Sequence, residues 1–213
     1  MPKRYIYVVF TSTPYKTGTF IRAVTRYPYN HVSISFDPEI KTLFSYSRHY
    51  KNAPFYGGFV RESILRYEND GRTALIKVCA LPVTEKRYNK AKIYMNYLEQ
   101  NSEDLVYNMF SAMLFPFKRE VKIKNSFTCV EFAIHFIKKF AFLPFLEKNR
   151  FCSIKSLAAN LEKCTVYEGS AEKFICGADW NGDTFPEDRG YWFRIRKTVG
   201  TNKRLVEKLL KRE

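Results

Sequence analysis

The apolar positions of this chain keep two different rhythms. Residues 31–36 (HVSISF) alternate strictly, with Val32, Ile34 and Phe36 on one side and His31, Ser33 and Ser35 on the other. A period of two predicts a strand with one apolar and one polar face. Leu43–Arg48 (LFSYSR) alternates again after an Asp37-Pro38 turn, so the two stretches predict an antiparallel pair. Tyr5–Phe10, Phe59–Ser63 and Thr73–Ala80 read as further strands. Farther on the period lengthens. Phe132, Ala133, Phe136, Ile137 and Phe140 recur at helical spacing, behind Ser126 or Thr128 as a cap. Thr19–Arg26, Thr84–Glu99 (capped by Thr84), Ser153–Leu161 and Thr201–Arg212 predict four more helices. Cys164–Tyr167 and Tyr191–Arg196 are expected as short strands, and Asp179–Arg189 as an exposed loop. This order predicts an α+β fold.

Composition narrows the class. At 213 residues, with 46% hydrophobic positions, 19 Phe and 15 Tyr, the chain carries enough apolar surface for one well-cored domain. No apolar run approaches the ~20 residues of a membrane-spanning helix, and the start shows no cleavage pattern, so a cytoplasmic protein without a transmembrane segment is expected. The five cysteines (Cys79, Cys129, Cys152, Cys164, Cys176) are odd in number and too widely spaced for a CxxC site. Reduced thiols are expected, with neither a zinc site nor a cofactor. The net charge of +15 is spread along the chain, with modest clusters at 118–124 and 194–212. No RNP, GXXG or zinc-finger pattern accompanies it, which argues against nucleic acid and leaves contact with an anionic surface open.

The candidate chemistry lies in Cys129 and His31. Cys129 falls in the first turn of the 126–140 helix, where a negative group is stabilised and where a thiolate would be a nucleophile. His31 opens a strand and points to its polar side, from which it can face a helix packed across the sheet. Such a pair needs no local motif, because its members meet only in the fold. The other histidines fit less well. His135 is turned about 240° around the helix from Cys129 and is expected in a solvated pair with Glu131. His49 is expected exposed in its loop.

With these pieces in place the chain resembles the circularly permuted papain-like hydrolases, relatives of the NlpC peptidoglycan endopeptidases. The matching segments are NHVSISFD (30–37), LFSYS (43–47), GGFVRES (57–63), VYN (106–108) and SFTCVEFA (126–133). The resemblance implies a papain-like fold with a central antiparallel sheet and the nucleophile helix packed on it. It implies a catalytic domain over 1–164, with 165–213 as a C-terminal extension. It also implies roles: Cys129 as nucleophile, His31 as base, and Tyr107 reaching toward the oxyanion. Alignment of the second strand places the third, imidazole-orienting residue at Ser45, with Glu62 on the next strand as the other candidate. Ser45 is expected beside His31, because Glu62 would have to reach across an intervening strand. The implied activity is hydrolysis or acyl transfer on a peptide or cell-wall-type amide or a lipid acyl group. The alternative is a catalytically weak papain-like module that binds nucleic acid or another anionic partner through its basic surface.

Overall fold

The alternating stretches form strands: β1 (Arg4–Thr11), β2 (His31–Ser35), β3 (Leu43–Arg48), β4 (Gly57–Glu62) and β5 (Leu75–Val83). The computed structural model describes residues 4–67, 73–141, 143, 153–175, 185–186 and 189–211, without the side chains of 16, 17, 20, 21 and 24. Three more strands complete the sheet among the described residues: β6 (Val106–Tyr107), β7 (Ser126–Phe127) and β8 (Thr165–Ser170). The order is β7-β6-β4-β3-β2-β1-β5-β8. Neighbours pair antiparallel except β6 with β7. The fold is α+β, built on a mostly antiparallel open sheet.

The helices are α1 (Lys16–Thr25), α2 (Glu85–Gln100), α3 (Met109–Leu114), α4 (Cys129–Phe140), α5 (Ile154–Asn160), α6 (Glu172–Ile175) and α7 (Tyr191–Leu210). Helix α2 starts where expected, with the Thr84 side chain accepting from the Arg87 amide. Helix α4 lies over β2 and β3. Its inward residues Phe132, Ala133, Phe136 and Ile137 join Val32, Ile34, Tyr46 and Phe59 in one core cluster. The Phe132 ring stands 5.3 Å from that of Tyr46 and 5.7 Å from that of Phe59, centroid to centroid. Aromatic pairs at such separations add to plain area burial.

A second cluster, including Val9, Ile40, Leu43, Ile64, Ile76 and Val78, is completed by the 3-10 helix Ile64–Tyr67. All five residues of β2 are buried. The polar face expected on this strand is an enclosed one. Alternation reported which residues share a face, but the cover over the polar face comes from a segment distant in sequence.

Beyond residue 164 the chain still builds the sheet, since β8 pairs with β5 along its edge. Helix α7 replaces two expectations, a strand at Tyr191–Arg196 and a separate helix at Thr201–Arg212. Tertiary contacts decide this. Phe193 packs edge-on to Tyr50, Thr201 and Leu205 are buried, and Leu209 packs into a cluster with Val106 and Ile123. These positions recur at helical spacing and carry the helix through Gly200, whose cost is about 1 kcal/mol. Cys152, Cys176 and most of the expected 179–189 loop lie outside the described residues. Among those described, no helix is long and apolar enough to cross a membrane.

Candidate active site

Helix α4 begins at Cys129 because its first turn is capped twice. Thr128 Oγ1 accepts from the Glu131 amide at 3.3 Å, and Glu131 Oε2 accepts from the Thr128 amide at 2.7 Å. This reciprocal box satisfies donors that a helix start otherwise leaves unpaired. The expected Glu131–His135 surface pair is not the arrangement found: Glu131 turns back to the cap, and His135 Nε2 stands 3.2 Å from the Tyr94 hydroxyl. Thr128→Ala is expected to lower stability by about 1 kcal/mol, read as a reduced urea midpoint at unchanged slope.

His31 is the first residue of β2, as Cys129 is the first of α4, and the two meet at these ends. Cys129 lies near the imidazole and helps to raise its pKa. His31 Nε2 is 2.9 Å from Glu62 Oε1, so the other ring nitrogen is the one left for the sulfur. That same carboxylate oxygen accepts from Ser33 Oγ and from Ser45 Oγ, each at 2.8 Å. Arg66 Nη1 stands 3.7 Å from Glu62 Oε2, and the Tyr67 ring lies 5.6 Å from that of His31. Glu62 has no exposed surface and His31 is 6% exposed.

The charges are set by this enclosure. Burial opposes ionisation of His31, but the Glu62 charge and the contacts with Cys129 and Glu62 overcome it and hold the imidazole well above its ordinary value. Burial likewise opposes the Glu62 carboxylate. The charge and hydrogen bond of His31, with Arg66 and Ser33, overcome that too and hold it below the usual carboxylate range. Both groups are charged at neutral pH.

Ser45 was expected beside the imidazole, and here the structure corrects the expectation. Glu62 sits opposite Leu43 on β3, two positions from the Ser45–Val60 pair. A glutamate side chain is long enough to cross one strand and reach β2. The two serines, too short to reach past it, donate to its oxygen instead. Ser33, Arg66 and Tyr67 were not singled out from sequence. Ser33 had a signal, since it shares the polar face of its strand with His31. Arg66, four residues after Glu62, had one only if the 64–67 segment was read as helical.

Tyr107 lies on β6 and borders the same cavity as Cys129. Burial and the neighbouring Cys129 and Glu131 keep its phenol protonated, so it is a donor there. The cavity, about 590 Å³, is lined by Tyr27, Tyr29, Tyr107, Phe115 and Ile154 among others, with Cys129 in its wall. A second cavity of about 1210 Å³ adjoins it, sharing Phe115, Lys118, Thr128 and Val130. His49, expected exposed, is half-buried instead. Its ring packs 4.6 Å from Tyr56, and burial with nearby Arg66, Arg204 and Lys197 holds it down at about 4.

Among the described residues, no group of three or more His, Cys, Asp or Glu side chains is placed to hold a metal ion. Cys79, Cys129 and Cys164 are free thiols. The arrangement is a cysteine, a charged imidazole and a buried carboxylate in series, with the sulfur at a cavity. No protein-family model matches this chain, no curated protein matches it, and no solved structure does.

Proposed function

We propose that the protein is a cysteine-dependent hydrolase or acyltransferase acting on an amide or ester, with Cys129 as nucleophile, His31 as general base and acid, and Glu62 as the residue that orients and charges the imidazole. One observation carries the reading. Glu62 Oε1 lies 2.9 Å from Nε2 of an imidazole whose other side is offered to a cysteine at a helix start. The order of histidine strand before cysteine helix, and the packing of that helix on an antiparallel sheet, support a permuted papain-like fold.

In this mechanism the proton of the Cys129–His31 pair rests on the imidazole as the sulfur attacks the substrate's carbonyl carbon. The carbonyl oxygen gains the negative charge and is met by the Cys129 backbone amide and by the Tyr107 phenol. As the C–N or C–O bond breaks, His31 gives its proton to the leaving nitrogen or oxygen. Water or another acceptor then loses a proton to His31 and attacks the thioester. The acyl group leaves as acid or transferred ester or amide, and the proton stays on the imidazole beside the freed sulfur. The alternative, a catalytically weak module that binds an anionic partner, is favoured by a serine as the orienting residue, whereas the buried carboxylate beside His31 supports the hydrolase reading.

The test is labelling by a neutral thiol-directed probe at pH 7, read by mass spectrometry. Cys129 is expected to be modified before the other thiols, and Cys129→Ala to lose that fast phase with the fold intact. His31→Ala is expected to slow it on the order of tenfold or more. Equal labelling of wild type and Cys129→Ala would place the reactive thiol elsewhere.

A further inference from the structure

The segment that walls the Cys129 cavity carries large apolar side chains facing outward. Ala112, Phe115, Pro116 and Lys118 line the cavity. Between them, Met113 is 67% exposed and Phe117 72% exposed. Neither lines the cavity, and neither belongs to a core cluster. Exposed large apolar side chains grouped at one tip mark a contact surface rather than a packing defect.

The chain that follows is basic. Lys118, Arg119, Lys122 and Lys124 lie within seven residues of one another and are all exposed. The one acid among them is Glu120, which lies 3.8 Å from Lys122. Lys138, across the adjoining cavity, adds a fifth cation to its lining. An apolar tip bordered by cations is the chemistry that docks on an anionic bilayer: the tip enters the acyl boundary while the cations meet the headgroups. A nucleic acid would use the cations but has no place for the Met113 side chain. The overall charge of +15 adds long-range attraction to such a surface.

We propose that the α3 tip, Met113 with Phe117, and the basic segment 118–124 form a docking surface for an anionic lipid bilayer, which brings the wall of the Cys129 cavity to the membrane. Its meaning for catalysis rests on the function proposed above, but its measurement does not.

The experiment is co-sedimentation of the full chain with vesicles of neutral phosphatidylcholine and with vesicles carrying 30% phosphatidylglycerol (about that fraction gives a strongly negative surface). Binding is expected only to the anionic vesicles and is expected to weaken with salt. Met113→Ser with Phe117→Ser should weaken it about tenfold. Lys122→Glu with Lys124→Glu should weaken it at least as much, at roughly fivefold per charge lost. Cys129→Ala should bind like wild type, and both surface variants should keep the wild-type circular dichroism spectrum and urea midpoint, which shows their folds intact. Three results would each overturn the proposal: no binding to anionic vesicles, equal binding to neutral ones, or anionic binding that survives both surface variants. Salt-dependent binding to a DNA duplex that falls with the lysine changes, and not with Met113 and Phe117, would assign the surface to nucleic acid instead. Loss of labelling in wild type with vesicle binding retained would sink the catalytic reading and leave the docking surface standing.

Discussion

Glu62→Gln is expected to lower turnover and Cys129 labelling by about 10²–10⁴-fold, while Ser45→Ala lowers them less than about tenfold. The amide keeps an oxygen for the Ser33 and Ser45 hydroxyls but loses the charge that holds the imidazole protonated and in place. It also leaves the Arg66 guanidinium, 6% exposed, without the carboxylate beside it. Removing one partner of a buried ion pair costs about 3–5 kcal/mol. The pH dependence of stability gives a second reading of the same change. Glu62 is held below its ordinary 4.5, so its contribution is present above that value and is lost as pH falls through the lowered one. His31 is held above its ordinary 6.5, so its contribution is complete below that value and is lost as pH rises through the raised one. The pair therefore stabilises most between 4.5 and 6.5. Urea midpoints followed across pH should show this plateau in wild type and a flatter profile in Glu62→Gln. If Ser45→Ala proves as damaging as His31→Ala and Glu62→Gln is silent, the carboxylate is not the orienting group.

Phe132→Ala should cost about 3–5 kcal/mol of stability. The ring is fully buried one turn into α4, against Tyr46 and Phe59 on the strands below and 6.0 Å from Phe136 along the helix. Its loss leaves a cavity beneath the helix start that carries Cys129, and aromatic neighbours on three sides limit how far the site can close. The effect on function should exceed what unfolding explains, because the sulfur's distance to His31 depends on where this turn sits. Denaturant unfolding measures the first part. Labelling at a temperature where the variant remains folded measures the second. A cost under about 1 kcal/mol would mean that the helix is not seated by this ring.

Much of the frame was legible without the fold. Alternation found β2 and β3 nearly to the residue, because a strand with unlike faces writes its period into the chain. The Thr128 cap and the apolar spacing behind it found α4, since helix starts satisfy their own amides with nearby side chains. Short patterns without a second constraint failed. Tyr191–Arg196 alternates, yet it belongs to a twenty-residue helix whose inward side is chosen by Tyr50, Val106 and Ile123.

The sequence alone determined which chemical groups the site has to work with: one cysteine at a capped helix start, one histidine at the head of a strand, and a serine and a glutamate as rival third members. Only the tertiary structure showed which of those two meets the imidazole. The choice depends on strand order and side-chain reach, since Glu62 on β4 spans β3 to touch β2 while Ser45, closer in register, stops at the carboxylate. It also decided the charges. A histidine and a glutamate have ordinary ionisation in an unfolded chain, and burying them in contact is what drives their values apart. Local sequence carries periodicity and caps because those act over a few residues. The His31–Glu62 pair joins residues 31 positions apart, and it exists only once the chain has closed around it.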